Sequence, residues 1–171
     1  MIQKTTTILA KYAGLLAGII YYTLMNWWNK LPVDAGDGIL HYSISKQSLK
    51  DPLYLLHHWG KPLYTLLSSP LAQLGFKWYV LFNILVFAAT CFVVFLVLKH
   101  LKAGWFYYFL FPLLLIAVPD YSYCILGGMT EPFFGLLLVL LIHFAIRNKW
   151  LVFAIIASFT PFARSEGMLV V

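Results

Sequence analysis

The chain has 171 residues, 62% hydrophobic and only 11% charged, with a mean hydropathy of +0.84. Soluble domains carry roughly 25% charged residues, so a water-soluble globular class is excluded. The net charge of +6 does not indicate nucleic acid, because Lys4, Lys11, Lys99, Lys102, Arg147 and Lys149 stand at or near the ends of apolar runs, where basic residues orient membrane spans.

The length suits one domain, residues 1–171. The apolar runs are rich in Leu, Phe and Val without strand alternation, and lipid cannot satisfy an open backbone, so the expected class is an all-α polytopic membrane protein with about five spans. The first span is expected over residues 7–27, closing on an aromatic belt of Trp27 and Trp28. Lys4 and Lys11 would also suit a signal peptide, but no small-residue cleavage pattern follows, so an uncleaved anchor is expected, with Lys11 snorkelling to the surface.

Residues 29–77 then form a first outer loop, too long for a plain connector. Within it, Ile39, Leu40, Tyr42 and Ile44 give a helical pattern over 38–48. Leu63, Tyr64, Leu66, Leu67, Leu71 and Leu74 give another over 62–74, interrupted at Pro70. Both are expected to be amphipathic helices lying in the interface plane. Further spans are expected over 78–98, 105–118, 132–146 and 150–162, the last three short enough to recruit neighbours such as 121–129.

Lys99, His100 and Lys102 lie between the second and third spans, and Arg147 and Lys149 between the fourth and fifth, which places both loops in the cytoplasm. The connection 119–131 holds Asp120 and Glu131 but no Lys or Arg, so it is expected outside, together with loop 29–77. Lys30, Lys46, Lys50, Lys61 and Lys77 oppose this for the first loop, although its length and Asp34, Asp37 and Asp51 offset them.

Ionisable residues therefore gather on the outer side. Asp37 and His41 are four apart and can share one helix face, so a carboxylate base held by an imidazole is available; the competing reading makes Asp37 an N-cap and His41 a headgroup residue. Thr130 can cap the fourth span, with Glu131 at the positive end of its dipole and Pro132 in its first turn. Gly127-Gly128 permits a tight turn or close backbone approach. Arg164 and Glu166 close the fifth span either as a mutual ion pair or with the guanidinium gripping phosphate. His57 and His58 point different ways and lack a third zinc ligand, so structural or headgroup roles compete with a phosphate role for nearby Lys61. His143 is expected to pack or snorkel. Neither cysteine, Cys91 nor Cys124, belongs to a CxxC or zinc-like spacing.

The order of these features resembles the N-terminal part of the polytopic GT-C glycosyltransferases. His58-Trp59-Gly60-Lys61-Pro62-Leu63-Tyr64 resembles the Gly-Lys-Pro-Pro-Leu-Tyr pattern of the aminoarabinose and protein-mannosyl transferase branch. Thr130-Glu131-Pro132 and Arg164-Ser165-Glu166-Gly167 resemble Ser-Glu-Pro and Arg-Pro-Glu-Gly patterns of bacterial mannosyltransferase-like members. The loop reads Asp-Ala-Gly-Asp-Gly where several branches have an adjacent Asp-Glu pair, and Leu63 and Ser165 stand where the patterns have Pro, which leaves the branch open.

The resemblance implies transfer of a sugar, usually with inversion, from a polyprenyl-phosphate donor to a glycan, lipid or protein acceptor at the outer face. It implies Asp37 as catalytic base with Asp34 as second choice, His41 orienting it, Lys61, Arg164 and His58 at the donor phosphate, and Glu131 and Glu166 as supporting acidic residues. No cofactor is firmly implied, although a divalent cation is compatible, and the expected partners are the donor and membrane lipids. The bacterial inner membrane, with a periplasmic first loop, is the expected location. Family members usually have more spans, so the chain is expected to be the N-terminal part of a longer protein. A lipid-linked glycan transporter or flippase component and a small non-catalytic membrane subunit are the alternatives.

Overall fold

Apolar runs broken by Gly, Pro and charged turns dictate a series of helices, and the computed structural model describes the backbone of residues 2–34, 36–57 and 59–171, with side chains from residue 12 onward. The described chain is all-helical, without a strand. In order it forms α1 (Ile2–Trp28), α2 (Asp37–Ser48), a 3-10 turn (Pro52–Leu56), α3 (Pro62–Ala72) and α4 (Phe76–His100). There follow α5 (Trp105–Ala117), α6 (Pro119–Gly127), α7 (Glu131–Ile146), α8 (Trp150–Ala163) and a second 3-10 turn (Ser165–Leu169).

Among the described residues, α4 is the one helix both long and apolar enough to cross a membrane, its 25 residues rising about 37 Å at roughly 1.5 Å each. α5 and α6 pass the same test only together, and they are bent by 75° at Val118. α7 and α8, at 16 and 14 residues, are apolar but shorter than a hydrocarbon core of roughly 30 Å requires. α1 is 27 residues long, but the side chains of its first part, those of Lys4 and Lys11 among them, lie outside the described residues.

Tertiary contacts sort the helix ends into two levels. Asn26 Nδ2 donates to the Lys77 carbonyl at 3.0 Å and Lys77 Nζ to the Trp27 carbonyl at 2.9 Å, which ties the end of α1 to the start of α4. Tyr123 of α6, the start of α7 and the end of α8 lie at this same end, so every Asp and Glu of the chain falls there. The ends of α4 and α7 and the starts of α5 and α8 form the other end, which carries Lys99, Lys102, Arg147 and Lys149. Trp27, Trp28 and Trp78 mark the acidic end and Trp105 and Trp150 the basic end, all partly exposed, as amphipathic rings are at membrane interfaces.

Two structural features rest on local chemistry absent from the hydrophobic pattern. Gly14 and Gly18 are buried one turn apart on α1, and a Cβ at Gly14 would run into the Phe109 carbonyl of α5. Gly14 thus lets α1 and α5 approach backbone to backbone, whereas Gly18 leaves room for the Phe87 ring of α4. Proline behaves differently from expectation in α3: the helix continues through Pro70 instead of breaking there. The missing Pro70 N–H leaves the Leu66 carbonyl without its helical donor, and Ser69 Oγ bonds to it at 2.8 Å. Thr160 does the same before Pro161 in α8, bonding the Ala157 carbonyl at 2.7 Å.

The stretch expected as a connection at 119–131 contains α6, which returns against α4. Its closing turn lies beside the fully buried Asn83, whose Nδ2 donates to the carbonyls of Met129 at 2.8 Å and Cys124 at 3.3 Å. Tyr64 and Tyr79 hydroxyls reach the Gly128 carbonyl at 3.2 and 3.0 Å. Non-helical backbone away from water is kept only where protein donors satisfy it, and these three side chains do so.

Candidate functional site

Asp34 is buried and fully engaged. Its Oδ1 accepts from the Gly36 amide at 3.0 Å and the Tyr123 hydroxyl at 2.9 Å, and its Oδ2 accepts from the Gly38 amide. Burial pushes the carboxyl up, but the amides of Gly38 and Gly36 and the Tyr123 hydroxyl outweigh it and hold it below the usual carboxylate range. Gly38 sits so close to α6 that a Cβ there would strike the Gly127 carbonyl. Asp34 thus fixes the start of α2 against α6, the part expected of a cap at Asp37. Asp37 is instead the first residue of α2, after an N-cap at Gly36 that makes no side-chain bond.

Asp37 is exposed, and no hydrogen bond or ion pair engages its carboxylate among the described residues. One turn on, His41 is buried at 6% exposure, with its ring near Tyr64 and its Nδ1 without a partner among the described residues. Burial lowers the His41 pKa below its ordinary value; Lys61 and Arg164 push the same way, while Asp37 and Glu131 oppose them. His41 is therefore a neutral imidazole at pH 7, within electrostatic reach of two acids and two cations from four different segments. Lys61, immediately before α3, is half-buried and has no ion pair among the described residues.

Arg164, where α8 ends, bridges two carboxylates. Its Nη1 meets Glu131 Oε1, and its Nη2 lies 2.7 Å from Glu166 Oε1. The Arg164 bonds hold Glu166 down at about 2, and Glu166 first and Glu131 second raise the guanidinium pKa. The ion pair expected within Arg164-Ser165-Glu166 is thus present, with Glu131 as a further partner. Glu131 Oε2 is buried and has no hydrogen-bond partner among the described residues. Thr130 precedes α7 but makes no side-chain cap bond, so the cap expected from its hydroxyl is absent.

The structure brings together Asp37, His41, Lys61, Glu131 and Arg164, with Glu166 outside Arg164 and Asp34 behind α2. The expected phosphate role of His58 lies outside the described residues. His57 follows the first 3-10 turn, and its Nδ1 accepts from the Trp59 amide at 3.3 Å. Residue spacing did not reveal Tyr123 and Asn83; the Gly127-Gly128 pair was their one visible trace, marking where backbones meet. Among the described residues no three His, Cys, Asp or Glu side chains are grouped to hold a metal ion.

The fold and site define an all-helical protein with a helix of membrane-spanning character and a polar cluster at one end of its bundle. Comparison with known proteins found no matching family, characterised protein or solved structure.

Proposed function

We propose that the chain is the N-terminal membrane part of a GT-C-type glycosyltransferase with five spans, counting α1, α4, the bent α5–α6 pair, α7 and α8. In this reading the acidic end is periplasmic in a bacterial inner membrane, and sugar passes there from a polyprenyl-phosphate donor to an acceptor hydroxyl. The observation that carries it is an unengaged carboxylate, Asp37, one turn from a neutral buried imidazole and on the same site as an unengaged cation, Lys61.

Asp37 takes the proton of the acceptor hydroxyl as its oxygen attacks the anomeric carbon, and the carbon–phosphate oxygen bond breaks. The donor leaves as a polyprenyl phosphate, whose developing charge Lys61 offsets at once. Arg164 is already neutralised by two carboxylates, so it positions Glu131 and Glu166 and meets phosphate only by exchanging one of them. His41, one turn from Asp37, can donate through Nδ1 to a bound oxygen and so place the acceptor beside the Asp37 carboxylate. The test is sugar transfer by the intact protein in proteoliposomes. Asp37→Asn is expected to lose activity by at least about a hundredfold, the scale of general-base removal. Unchanged turnover would remove Asp37 as base.

A carrier of lipid-linked glycans is the second reading, and the broken α5–α6 pair favours it, since carriers use interrupted helices and the turn closing α6 takes its hydrogen bonds from buried Tyr64 of α3 and Tyr79 and Asn83 of α4. Donor translocation by protein that transfers no sugar would select it.

A further inference from the structure

The basic end of the bundle holds a cavity of about 500 Å³ that the transfer reading does not use. It is lined by Leu96, Lys99, His100, Lys102, His143 and Arg147, with no acidic side chain among them. Two matching turns build it. After α4, Lys102 takes a left-handed φ of 55°, with Ala103 N bonded to the Leu98 carbonyl and Lys102 N to the Lys99 carbonyl. After α7, Asn148 takes φ 54°, with Lys149 N on the Phe144 carbonyl and Asn148 N on the Ala145 carbonyl. Both helices are thereby closed by the same motif at one level, which sets Lys99 and Lys102 opposite Arg147.

Chain orientation alone would account for exposed lysines, but not for His143. It lines this cavity at 5% exposure, and its Nδ1 has no hydrogen-bond partner among the described residues. A buried polar atom left unpaired costs about 1–3 kcal/mol, so a ligand acceptor is the natural partner. An apolar groove of about 130 Å³ runs between α4 and α5 at the same end, from Val94 and Leu98 to Leu110 and Leu114. Exposed Trp105 and Trp150 stand at this level.

We propose that this cavity binds the phosphate headgroup of an anionic membrane lipid. Arg147 grips phosphate oxygens with parallel N–H bonds, Lys99 and Lys102 supply further charge, and His143 donates from Nδ1. The adjacent apolar groove suits an acyl chain, which a soluble anion lacks. The inference needs only the membrane-embedded fold and holds whether or not the opposite end transfers sugar.

The test is native mass spectrometry of the purified chain in detergent with equal phosphatidylglycerol and phosphatidylcholine. The expected result is about a tenfold preference for phosphatidylglycerol, as for one strong charge-assisted bond. The double substitution Lys99→Gln with Arg147→Gln should abolish that preference, and His143→Leu should reduce it at unchanged net charge. Lys30→Gln with Lys50→Gln removes equal charge elsewhere and should keep it. If the first pair fails to fold, Lys102→Gln in the exposed turn reads the same loss. Equal retention of both lipids by the unmodified chain, or equal loss from both double variants, would overturn the proposal. Binding of inorganic phosphate without retained phosphatidylglycerol would also overturn it, in favour of a soluble anion.

Discussion

Two aspartates three positions apart should respond oppositely to substitution. Asp34→Ala removes the acceptor for three donors: the buried Gly38 amide, the exposed Gly36 amide and the Tyr123 hydroxyl. The last two can turn to water and recover most of their loss, whereas the Gly38 amide lies under α6 and stays unpaired at about 1–3 kcal/mol. With a few tenths for each exposed donor, the expected destabilisation is about 1.5–3.5 kcal/mol. Asp34→Asn keeps one oxygen but turns an NH₂ toward a remaining donor, so it should cost about half as much. Asp37→Asn, at an exposed and unengaged side chain, should stay within about 0.5 kcal/mol. Equilibrium unfolding in mixed micelles, followed by tryptophan fluorescence, measures all three. Asp34→Ala within 0.5 kcal/mol of the parent, or Asp37→Asn costing more than about 1 kcal/mol, would refute this division of roles.

Gly14→Leu should cost about 1–3 kcal/mol by forcing α1 off the Phe109 backbone; unchanged unfolding would show that the helices do not meet there. Arg164→Gln strips Glu131 and Glu166 of their shared cation and should cost about 1–2 kcal/mol after allowance for solvent screening, with Glu131→Gln in the same chain recovering part of it. Stability should also fall with acid. The folded His41 pKa lies below its unfolded value of roughly 6.5, so its contribution is complete above that value and is lost as pH falls through the folded one. A flat unfolding midpoint from about pH 7 to pH 5, or a slope unaltered in His41→Gln, would contradict this. Glu166 adds a smaller loss as pH falls from 4.5 toward about 2, small because that side chain is half exposed.

The sequence by itself determined the helical class, the order of the apolar runs and the segregation of acids from the basic turns. Each follows from composition and from periodicity within a few residues: Leu- and Phe-rich runs bounded by Lys99, Gly104 or Arg147 need no distant partner to be recognised. Only the tertiary structure decided which aspartate is tied down, because Asp34 and Asp37 look alike until Tyr123, 89 positions away, bonds one of them. It also decided that Pro70 stays within a helix, since a neighbouring hydroxyl replaces the lost amide donor. Likewise it turned α6 back against α4 and gave Arg164 the distant Glu131 besides its neighbour Glu166. The physical reason is range. Local pattern fixes which backbone groups bond within a helix, whereas the fate of a carboxylate depends on which helix ends packing brings within about 3 Å of it.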